Sequence, residues 1–262
     1  MTNDNRYAIS EWTDRYPIVE LTDRDPDSSV HICPERGGIA IRCRLNGQEL
    51  LYLDKDTFYD PEANIRGGIP VLFPICGQLR QGKYEWEGVT YEMRNHGVAR
   101  NRPWDQAATG TEGSAWVTLV LRSTPETLVS YPFAFELRFT YRLREGVLTI
   151  EQEYRNLSDR PMPMVAGFHP YFATQGKNLP YVSDATRYLD YNDGIEKPFE
   201  GTVVLEGLKE SVALLDAKRP EIAFPLHTDA AVRLSYSEEF RYAVLWSVEG
   251  KPFVCVEPWT AL

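Results

Sequence analysis

Residues 135–143 read Phe135-Glu136-Leu137-Arg138-Phe139-Thr140-Tyr141-Arg142-Leu143, an alternation of apolar and polar side chains without interruption. Successive side chains of an extended chain point to opposite faces, so this pattern predicts an antiparallel strand with one buried face. A short glycine-containing turn, Arg144-Glu145-Gly146, follows, and Leu148–Tyr154 resumes the extended pattern. Together these residues predict a β-hairpin.

The same pattern recurs three times along the chain, each time with a short glycine turn between extended segments. Asn-Gly is the strongest short hairpin signal, because both turn residues must tolerate positive φ. The three turns, with the segments they join, are Asn46-Gly47 (Ile39–Leu45 to Glu49–Leu53), Glu87-Gly88 (Tyr84–Trp86 to Val89–Tyr91) and Glu249-Gly250 (Tyr242–Val248 to Phe253–Val256). Antiparallel sheet is therefore predicted across the whole chain.

Helical signals are sparse. The best is Ser123–Leu128, where a hydroxyl cap precedes Pro125 and a single short helix can begin before Pro132 ends it. No long amphipathic helix, repeat or linker interrupts the β pattern. These observations predict an all-β fold, a large antiparallel β-sandwich with few short helices, forming one domain over residues 1–262.

Composition narrows the classes of partner. The 38 acidic and 28 basic residues give a formal charge of −10, which argues against a nucleic-acid partner because phosphate contacts need a clustered positive surface. The first sixteen residues have no apolar run of the signal-peptide type, and no apolar stretch is long enough to span a bilayer. We therefore expect a cytoplasmic protein with no membrane partner.

The four cysteines are widely separated and include no C-x-x-C pair, which supports neither a zinc ribbon nor a disulfide scaffold. We expect Cys33, Cys43, Cys76 and Cys255 to be reduced, buried and structural.

Three separate segments contain the candidate chemistry. The first two are Asn95-His96-Gly97-Val98-Ala99-Arg100 and Phe168-His169-Pro170-Tyr171, in which a histidine is flanked by Gly or Pro and aromatic residues. The third is Val254-Cys255-Val256-Glu257-Pro258-Trp259. Two imidazoles and one carboxylate suit the acid–base opening and reclosure of a sugar ring. The other two histidines, His31 and His227, lack such neighbours and are expected to be structural.

A fourth segment, Arg66-Gly67-Gly68-Ile69-Pro70-Val71-Leu72-Phe73-Pro74, brackets an apolar run with two glycines and two prolines. It can be a strand between tight bends or a place where backbone approaches a ligand closely. Arg66 at its edge is the functional candidate in this segment.

In their order and spacing, RGGIPVLFP, NHGVAR, GFHPYF and the late VEPWT resemble the aldose 1-epimerase (mutarotase) superfamily, most closely its hexose-6-phosphate mutarotase-like branch. The resemblance spans Ile39 to Thr260 and implies a galactose mutarotase-like sandwich with a sugar-binding cleft and no metal or organic cofactor. It implies anomer exchange on a hexose or hexose 6-phosphate, with Glu257 as the base, His169 as the acid and His96 as a hydrogen-bonding group. Arg66 and Arg100 match anion-binding positions of the phosphosugar members, and Asn95 in NHGVAR is a further substrate-binding candidate.

The sequence departs from the family pattern at two points. The family has a substrate-binding acid between the second histidine and the late glutamate, for which we rank Asp190 ahead of Asp193 and Asp216. The chain also stops at Leu262, soon after VEPWT, where members of this kind continue into at least one more strand; we therefore expect either a chain that lacks its last strand or strands, or a less well supported Glu257.

Two other functions use the same residues. Two histidines and a carboxylate can form a metal triad in an all-β protein, although the short H-x-H or H-x-D spacing of such sites is missing. A non-catalytic carbohydrate-binding or sugar-sensing protein on the same fold is the other alternative. An acid and a base on opposite sides of a ring favour catalysis over binding alone.

Overall fold

The computed structural model describes residues 6–262, and these residues form mostly antiparallel strands. Residues 1–5, part of the segment in which we expect no signal peptide, lie outside the described residues. The strands in the described part are β1 (Tyr7–Thr13), β2 (Pro17–Asp23), β3 (Ser28–Cys33), β4 (Ile39–Leu45), β5 (Gln48–Glu49), β6 (Val71–Leu72), β7 (Lys83–Trp86), β8 (Val89–Glu92), β9 (Asp105–Gly110), β10 (Ala115–Arg122), β11 (Phe135–Arg144), β12 (Val147–Asn156), β13 (Gly167–Phe168), β14 (Tyr171–Ala173), β15 (Arg187–Asp190), β16 (Ile195–Pro198), β17 (Val212–Leu214), β18 (Glu221–His227), β19 (Ala230–Ser235), β20 (Tyr242–Trp246) and β21 (Phe253–Trp259).

Three larger sheets and two hairpins contain these strands. One sheet has the order β1-β2-β3-β4-β5, and a second has the order β12-β11-β10-β9. The third, eight-stranded sheet runs β16-β15-β17-β20-β21-β13-β6, with β14 also paired to β21. The separate hairpins are β7-β8 and β18-β19. All of these strand pairs are antiparallel, and the predicted β-sandwich is confirmed.

The predicted hairpins are present with the expected turns. The alternating segment is β11, which pairs along its length with β12 through a turn at Glu145-Gly146. Asn46-Gly47 joins β4 to β5, and Glu87-Gly88 joins β7 to β8; all six turn residues have positive φ. The segment predicted as Glu49–Leu53 is shorter, because only Gln48–Glu49 pairs as a strand while Leu51 and Leu53 form isolated bridges.

Helices are short, as predicted. Helix α2 (Pro125–Ser130) begins after Thr124, whose hydroxyl accepts a hydrogen bond from the Thr127 amide in a capping box. The other α-helix, α1 (Lys55–Tyr59), was not predicted; the Asp54 carboxylate caps its first turn. Single 3₁₀ turns occupy Pro34–Arg36, Arg80–Gly82 and Ala99–Asn101. No helix within residues 6–262 is long and apolar enough to cross a membrane.

The described residues form two large apolar cores. The first joins the first two sheets and contains the inward residues of β11, Phe135, Leu137, Phe139 and Tyr141. The second packs one face of the eight-stranded sheet against the β18-β19 hairpin and includes Val254 and Val256 of β21. Burial of these side chains supplies the main driving force for folding.

Candidate active site

Successive side chains of strand β21 point to opposite faces of its sheet, one face on the second core and the other on a polar cluster. Val254 and Val256 point into the second core, so Cys255, Glu257 and Trp259 point to the opposite face. We call the face that carries these three residues the site face. All three are buried, and the carboxyl group of Glu257 is therefore shielded from solvent.

His169 lies directly across from Glu257. The strands on either side of it, β13 and β14, both pair with β21: Gly167 pairs with Trp259 and Tyr171 pairs with Cys255. The same register aligns His169 with Glu257, although Pro170 interrupts the strand. The result is a distance of 3.4 Å between His169 Nε2 and Glu257 Oε1.

His96 reaches the same cluster from the loop after β8. Its backbone has a φ of +65°, and the following Gly97 has a φ of +79°. The Gly77 amide donates a hydrogen bond of 3.0 Å to His96 Nδ1, so the neutral ring carries its proton on Nε2. The His96 and His169 rings lie edge to face with centroids 5.2 Å apart.

Burial disfavours the charged form of all three groups of the cluster. Burial raises the pKa of Glu257 well above its usual value, against the opposing effects of the Trp259 hydrogen bond and the Arg100 charge. Burial also lowers the pKa of His169, aided by His96 and Arg100. For His96, burial followed by the charge of Arg100 lowers the pKa to about 3. A carboxylic acid beside two neutral imidazoles is the favoured resting form.

Two neighbours orient the carboxyl group and the imidazole. The Trp259 indole N–H donates to Glu257 Oε2 at 3.2 Å, which leaves Oε1 to face His169. The Tyr171 ring stacks on the His169 ring with centroids 4.6 Å apart and an interplanar angle of 7°. The Trp259 hydrogen bond and the Tyr171 stacking thereby orient the carboxyl group and the imidazole in addition to the backbone.

Arg100 is buried beside the cluster. Its Nη2 donates to the backbone carbonyl of Ile65 at 3.1 Å. Its charge lowers the pKa of Glu257 and of both histidines, so it lies close enough to act on all three groups. Within residues 6–262 its Nε has no hydrogen-bond partner. A substrate oxygen is a suitable acceptor for that donor.

Arg66 and Asn95 are exposed. Asn95 directly precedes His96 in the sequence, and Arg66 directly follows Ile65, whose carbonyl accepts the Arg100 hydrogen bond. Burial raises the pKa of the Tyr171 hydroxyl, and the charge of Arg66 opposes this with a smaller lowering effect. In the described part of the chain neither the Arg66 nor the Asn95 side chain has a hydrogen-bond or ion-pair partner. Both side chains are therefore available to a ligand.

Asp190 does not join the cluster. Its Oδ2 accepts a hydrogen bond of 2.6 Å from Lys197 Nζ, and its Oδ1 accepts from the backbone and side chain of Asn192. These bonds lower the pKa of Asp190 against the effect of burial. The other two acids considered are also held locally, Asp193 by Lys197 and Asp216 by Thr186 and Arg187.

Sheet register explains why Asp190 is separate. Asp190 pairs with Val212, Val212 with Leu245, and Leu245 with Val256. Residues paired across antiparallel strands share a face, and Val256 belongs to the second core. Asp190 therefore lies on the face opposite Glu257, apart from His96 and His169, and its role in substrate binding stays a prediction.

Two residues of the site face were not predicted as part of it. Cys255 was expected to be only structural, yet it forms a group with His169 and Glu257 whose donor atoms are all within 4.8 Å of one another. Trp246 pairs with Cys255 across β20 and β21, and its ring lies 5.7 Å from that of His169. The Glu249-Gly250 hairpin is the sequence signal that could have found Trp246, because it sets which residues of β20 face those of β21.

The fold is that of the galactose mutarotase-like proteins. The crystal structure of a galactose mutarotase-like protein from Lactobacillus casei superposes with a TM-score of 0.75 at 23% identity, covering 97% of this chain and 88% of that one. Residues 19–260 match the aldose 1-epimerase family, and the chain belongs to that family. Membership supports a mutarotase-type function, the exchange of configuration at C1 of an aldose.

Two other relatives cover most of the chain. The solved structure of the Slr1438 protein from Synechocystis sp. PCC 6803 has a TM-score of 0.90 and 37% identity, covering 98% of this chain and 89% of that one. A candidate glucose-6-phosphate 1-epimerase from Cenchrus ciliaris is 28% identical in an alignment 248 positions long that covers 81% of this chain and 69% of the relative.

Proposed function

We propose that the protein is an enzyme that interconverts the α and β anomers of a hexose or hexose 6-phosphate. The observation that carries this proposal is the 3.4 Å contact between His169 Nε2 and Glu257 Oε1, in a buried setting that shifts the two pKa values in opposite directions. A proton-transfer reaction at two neighbouring oxygens needs such a pair of groups.

In the proposed ring opening, Glu257 and His169 carry the same total number of protons before and after the step. Transfer of one proton from Glu257 to His169 gives a carboxylate and an imidazolium. The carboxylate then takes the proton of the C1 hydroxyl while His169 donates its proton to the ring oxygen, and the C1–O bond to the ring breaks. The site returns to a carboxylic acid and a neutral imidazole, the form that burial favours.

Reclosure uses the same groups in reverse. Rotation about the C1–C2 bond presents the other face of the aldehyde to the ring hydroxyl. His169 then accepts the proton of the ring hydroxyl as that oxygen bonds to C1, and Glu257 protonates the former aldehyde oxygen. The Nε2–H of His96 is available to hydrogen-bond a sugar oxygen on which negative charge develops.

Anomeric exchange measured by NMR tests the assignment. With α-glucose, α-galactose and glucose 6-phosphate as substrates, we expect the parent protein to accelerate exchange for at least one sugar. We expect Glu257→Gln and His169→Asn each to lower the rate by about 10²–10⁴-fold, because each removes one proton-transfer group. Glu249→Gln, at an exposed turn residue, is the matched control and keeps the parent rate.

Two outcomes would count against catalysis. If both site variants retain the parent rate, Glu257 and His169 are not the acid and base. If the folded parent binds sugar without accelerating exchange of any of the three, the non-catalytic carbohydrate-binding function replaces the enzymatic one.

For the substrate class, we infer that a 6-phosphate group binds at Arg66. Arg66 is exposed, lacks an ion-pair partner within residues 6–262, and acts on Tyr171, which stacks on His169. Arg100, by contrast, is buried and bonded to Ile65, which suits contact with the sugar ring. The relative from Cenchrus ciliaris adds support for a phosphorylated substrate.

Arg66→Ala separates phosphate recognition from sugar recognition. We expect KM for glucose 6-phosphate to rise roughly 10- to 100-fold, the equivalent of a lost hydrogen bond to a charged group, while KM for glucose stays unchanged. Arg233→Ala is the matched control, because that arginine is 70% exposed and pairs with Glu221 on a separate hairpin. Equal losses for both sugars would remove the phosphate assignment.

A further inference from the structure

The site face carries three metal-ligating side chains that converge on one point. His169, Cys255 and Glu257 each offer one donor atom, and these atoms all lie within 4.8 Å of one another. Two of them, Cys255 and Glu257, are successive residues of the same face of β21, and His169 lies opposite on the neighbouring segment. All three side chains are buried.

The donor types select the kind of metal ion. A thiolate, an imidazole and a carboxylate are ligands of Zn²⁺ and similar borderline or soft divalent ions, whereas Mg²⁺ and Ca²⁺ prefer oxygen ligands alone. With metal–ligand bonds of about 2.0–2.3 Å, the ligand atoms of a tetrahedral Zn²⁺ stand roughly 3.3–3.8 Å apart. The His169–Glu257 distance of 3.4 Å already falls in that range.

Small side-chain movements bring the third donor into range. His169 Nδ1 is buried and has no hydrogen-bond partner in the described chain, so the imidazole can turn without breaking a hydrogen bond at that atom. Glu257 Oε2 accepts a hydrogen bond from the Trp259 indole N–H, which leaves Oε1 for the ion. Three protein ligands then leave the fourth tetrahedral position to water or a sugar hydroxyl.

We propose that His169, Cys255 and Glu257 form a binding site for one thiophilic divalent cation, such as Zn²⁺, and that the bound ion inhibits the protein reversibly. The thiol of Cys255 and the carboxyl group of Glu257 each give their proton to solvent as the metal–sulfur and metal–oxygen bonds form. The ion is coordinated by Nε2 of His169 and Oε1 of Glu257, the two atoms that exchange protons in ring opening. The inhibitory consequence rests on the proposed function, whereas the binding itself does not.

Cobalt absorption tests the binding independently of activity. We expect one equivalent of Co²⁺ to give the parent protein, without sugar, a thiolate-to-cobalt charge-transfer band that one equivalent of Zn²⁺ removes. Cys255→Ser loses the band. Cys76→Ser keeps it, and this variant is the matched control because the Cys76 thiol also lies near Glu257 but outside the three-donor group.

Anomeric exchange at buffered free Zn²⁺ tests the inhibition. We expect Zn²⁺ to abolish exchange in the parent and a chelator to restore it. Cys255→Ser, which keeps the proton-transfer groups, needs at least about tenfold more free Zn²⁺ for the same inhibition.

For the cobalt and zinc experiments, the outcomes that would overturn the proposal are as follows. Absence of a thiolate band in the parent overturns the site, whether or not the variants fold. A band that disappears in Cys76→Ser and persists in Cys255→Ser assigns the ion to another thiol. Inhibition by Zn²⁺ that is the same in the parent and Cys255→Ser shows that the effect comes from elsewhere on the protein. A band without any anomeric exchange in metal-free protein would leave the metal site intact and remove the proposed function instead.

Discussion

The Trp259 indole determines which oxygen of Glu257 faces His169. Its N–H donates to Oε2 at 3.2 Å, so Oε1 is left for proton transfer, and the same bond lowers the pKa of Glu257 against burial. Trp259 is therefore a positioning residue in the proposed reaction. It also borders His96, whose ring centroid lies 6.2 Å away.

Trp259→Phe removes the hydrogen bond and keeps most of the ring. We expect kcat to fall about fivefold, since a net hydrogen bond contributes about 1 kcal/mol and 1.4 kcal/mol corresponds to a factor of ten. Because the pKa of Glu257 rises further without this bond and the proposed step starts from the protonated carboxyl group, the alkaline limb of the kcat profile moves to higher pH. Polarimetry across the pH range in which the protein stays folded measures both effects.

The control for this variant is Trp116→Phe, at a half-buried tryptophan of β10 that packs against Arg142 away from the site. It keeps the parent profile. A Trp259→Phe variant with the parent kcat and an unmoved alkaline limb would show that the backbone alone orients the carboxyl group.

Sequence motifs identified some residues of the candidate site, whereas the place of another depends on strand register. Flanking Gly, Pro and aromatic residues identified His96, His169 and Glu257, and the structure brings these three together; their catalytic roles stay predictions. Asp190 could not be assigned from sequence, because its position relative to Glu257 depends on pairing through two intervening strands. No local pattern encodes that register.

Among secondary-structure elements, hairpins were predictable and short strands were not. Alternation and glycine turns are local signals, so β11-β12, β7-β8 and β20-β21 follow from neighbouring residues. Strand β13 has two residues and exists because Gly167 pairs with Leu72 on one side and Trp259 on the other. Such distant pairing leaves no periodic pattern in so short a segment.

The loop after β8 is the element that positions His96. Gly97 forms a parallel bridge to Phe73, and the Val98 amide donates to the Phe73 carbonyl at 2.7 Å. A Cβ on Gly97 would lie 2.2 Å from that carbonyl oxygen. The bridge therefore requires glycine both for its φ of +79° and for space.

Gly97→Ala and Gly88→Ala form a matched pair for this element. Gly88 has nearly the same φ, +78°, but a Cβ there meets nothing within 4 Å. We expect Gly88→Ala to lower the free energy of unfolding by about 1 kcal/mol through left-handed strain alone. Gly97→Ala should lower it by about 2–3 kcal/mol more, because the loop must move, and should also reduce the rate of anomeric exchange.

Denaturant titration and the NMR exchange rate of both variants decide this prediction. Equal stability losses, with exchange at the parent rate in both, would mean that the His96 loop adjusts without disturbing the site.

At the scale of the whole molecule, burial in the β-sandwich shifts the pKa values of several ionisable groups in favour of their uncharged forms. The second core supports β21 from behind through Val254 and Val256, so the site face is excluded from water on that side. The resulting pKa shifts link the stability of the whole fold to pH, with different signs for the two kinds of group. For Glu257 the raised pKa makes the protein less stable as pH rises above the usual carboxyl value of 4.5.

The histidines act in the opposite direction. The unfolded chain binds a proton at His96 below a pH of 6.5, whereas the folded protein does not until about 3. The free energy of unfolding therefore falls as pH decreases through this window, and His169 adds to the effect because its pKa is also lowered. His96→Gln removes one of the two contributions.

Denaturant titrations of the parent and His96→Gln near neutral and mildly acidic pH measure that contribution. From about pH 7 to about pH 5, the parent should lose about 2 kcal/mol more of its free energy of unfolding than the variant does. The comparison cancels the effects of Glu257 and of surface carboxylates, because both proteins carry them. Equal losses would mean that His96 accepts a proton in the folded state over this range, and its neutral Nε2–H could not then be the sugar-binding donor near the lower end of that range.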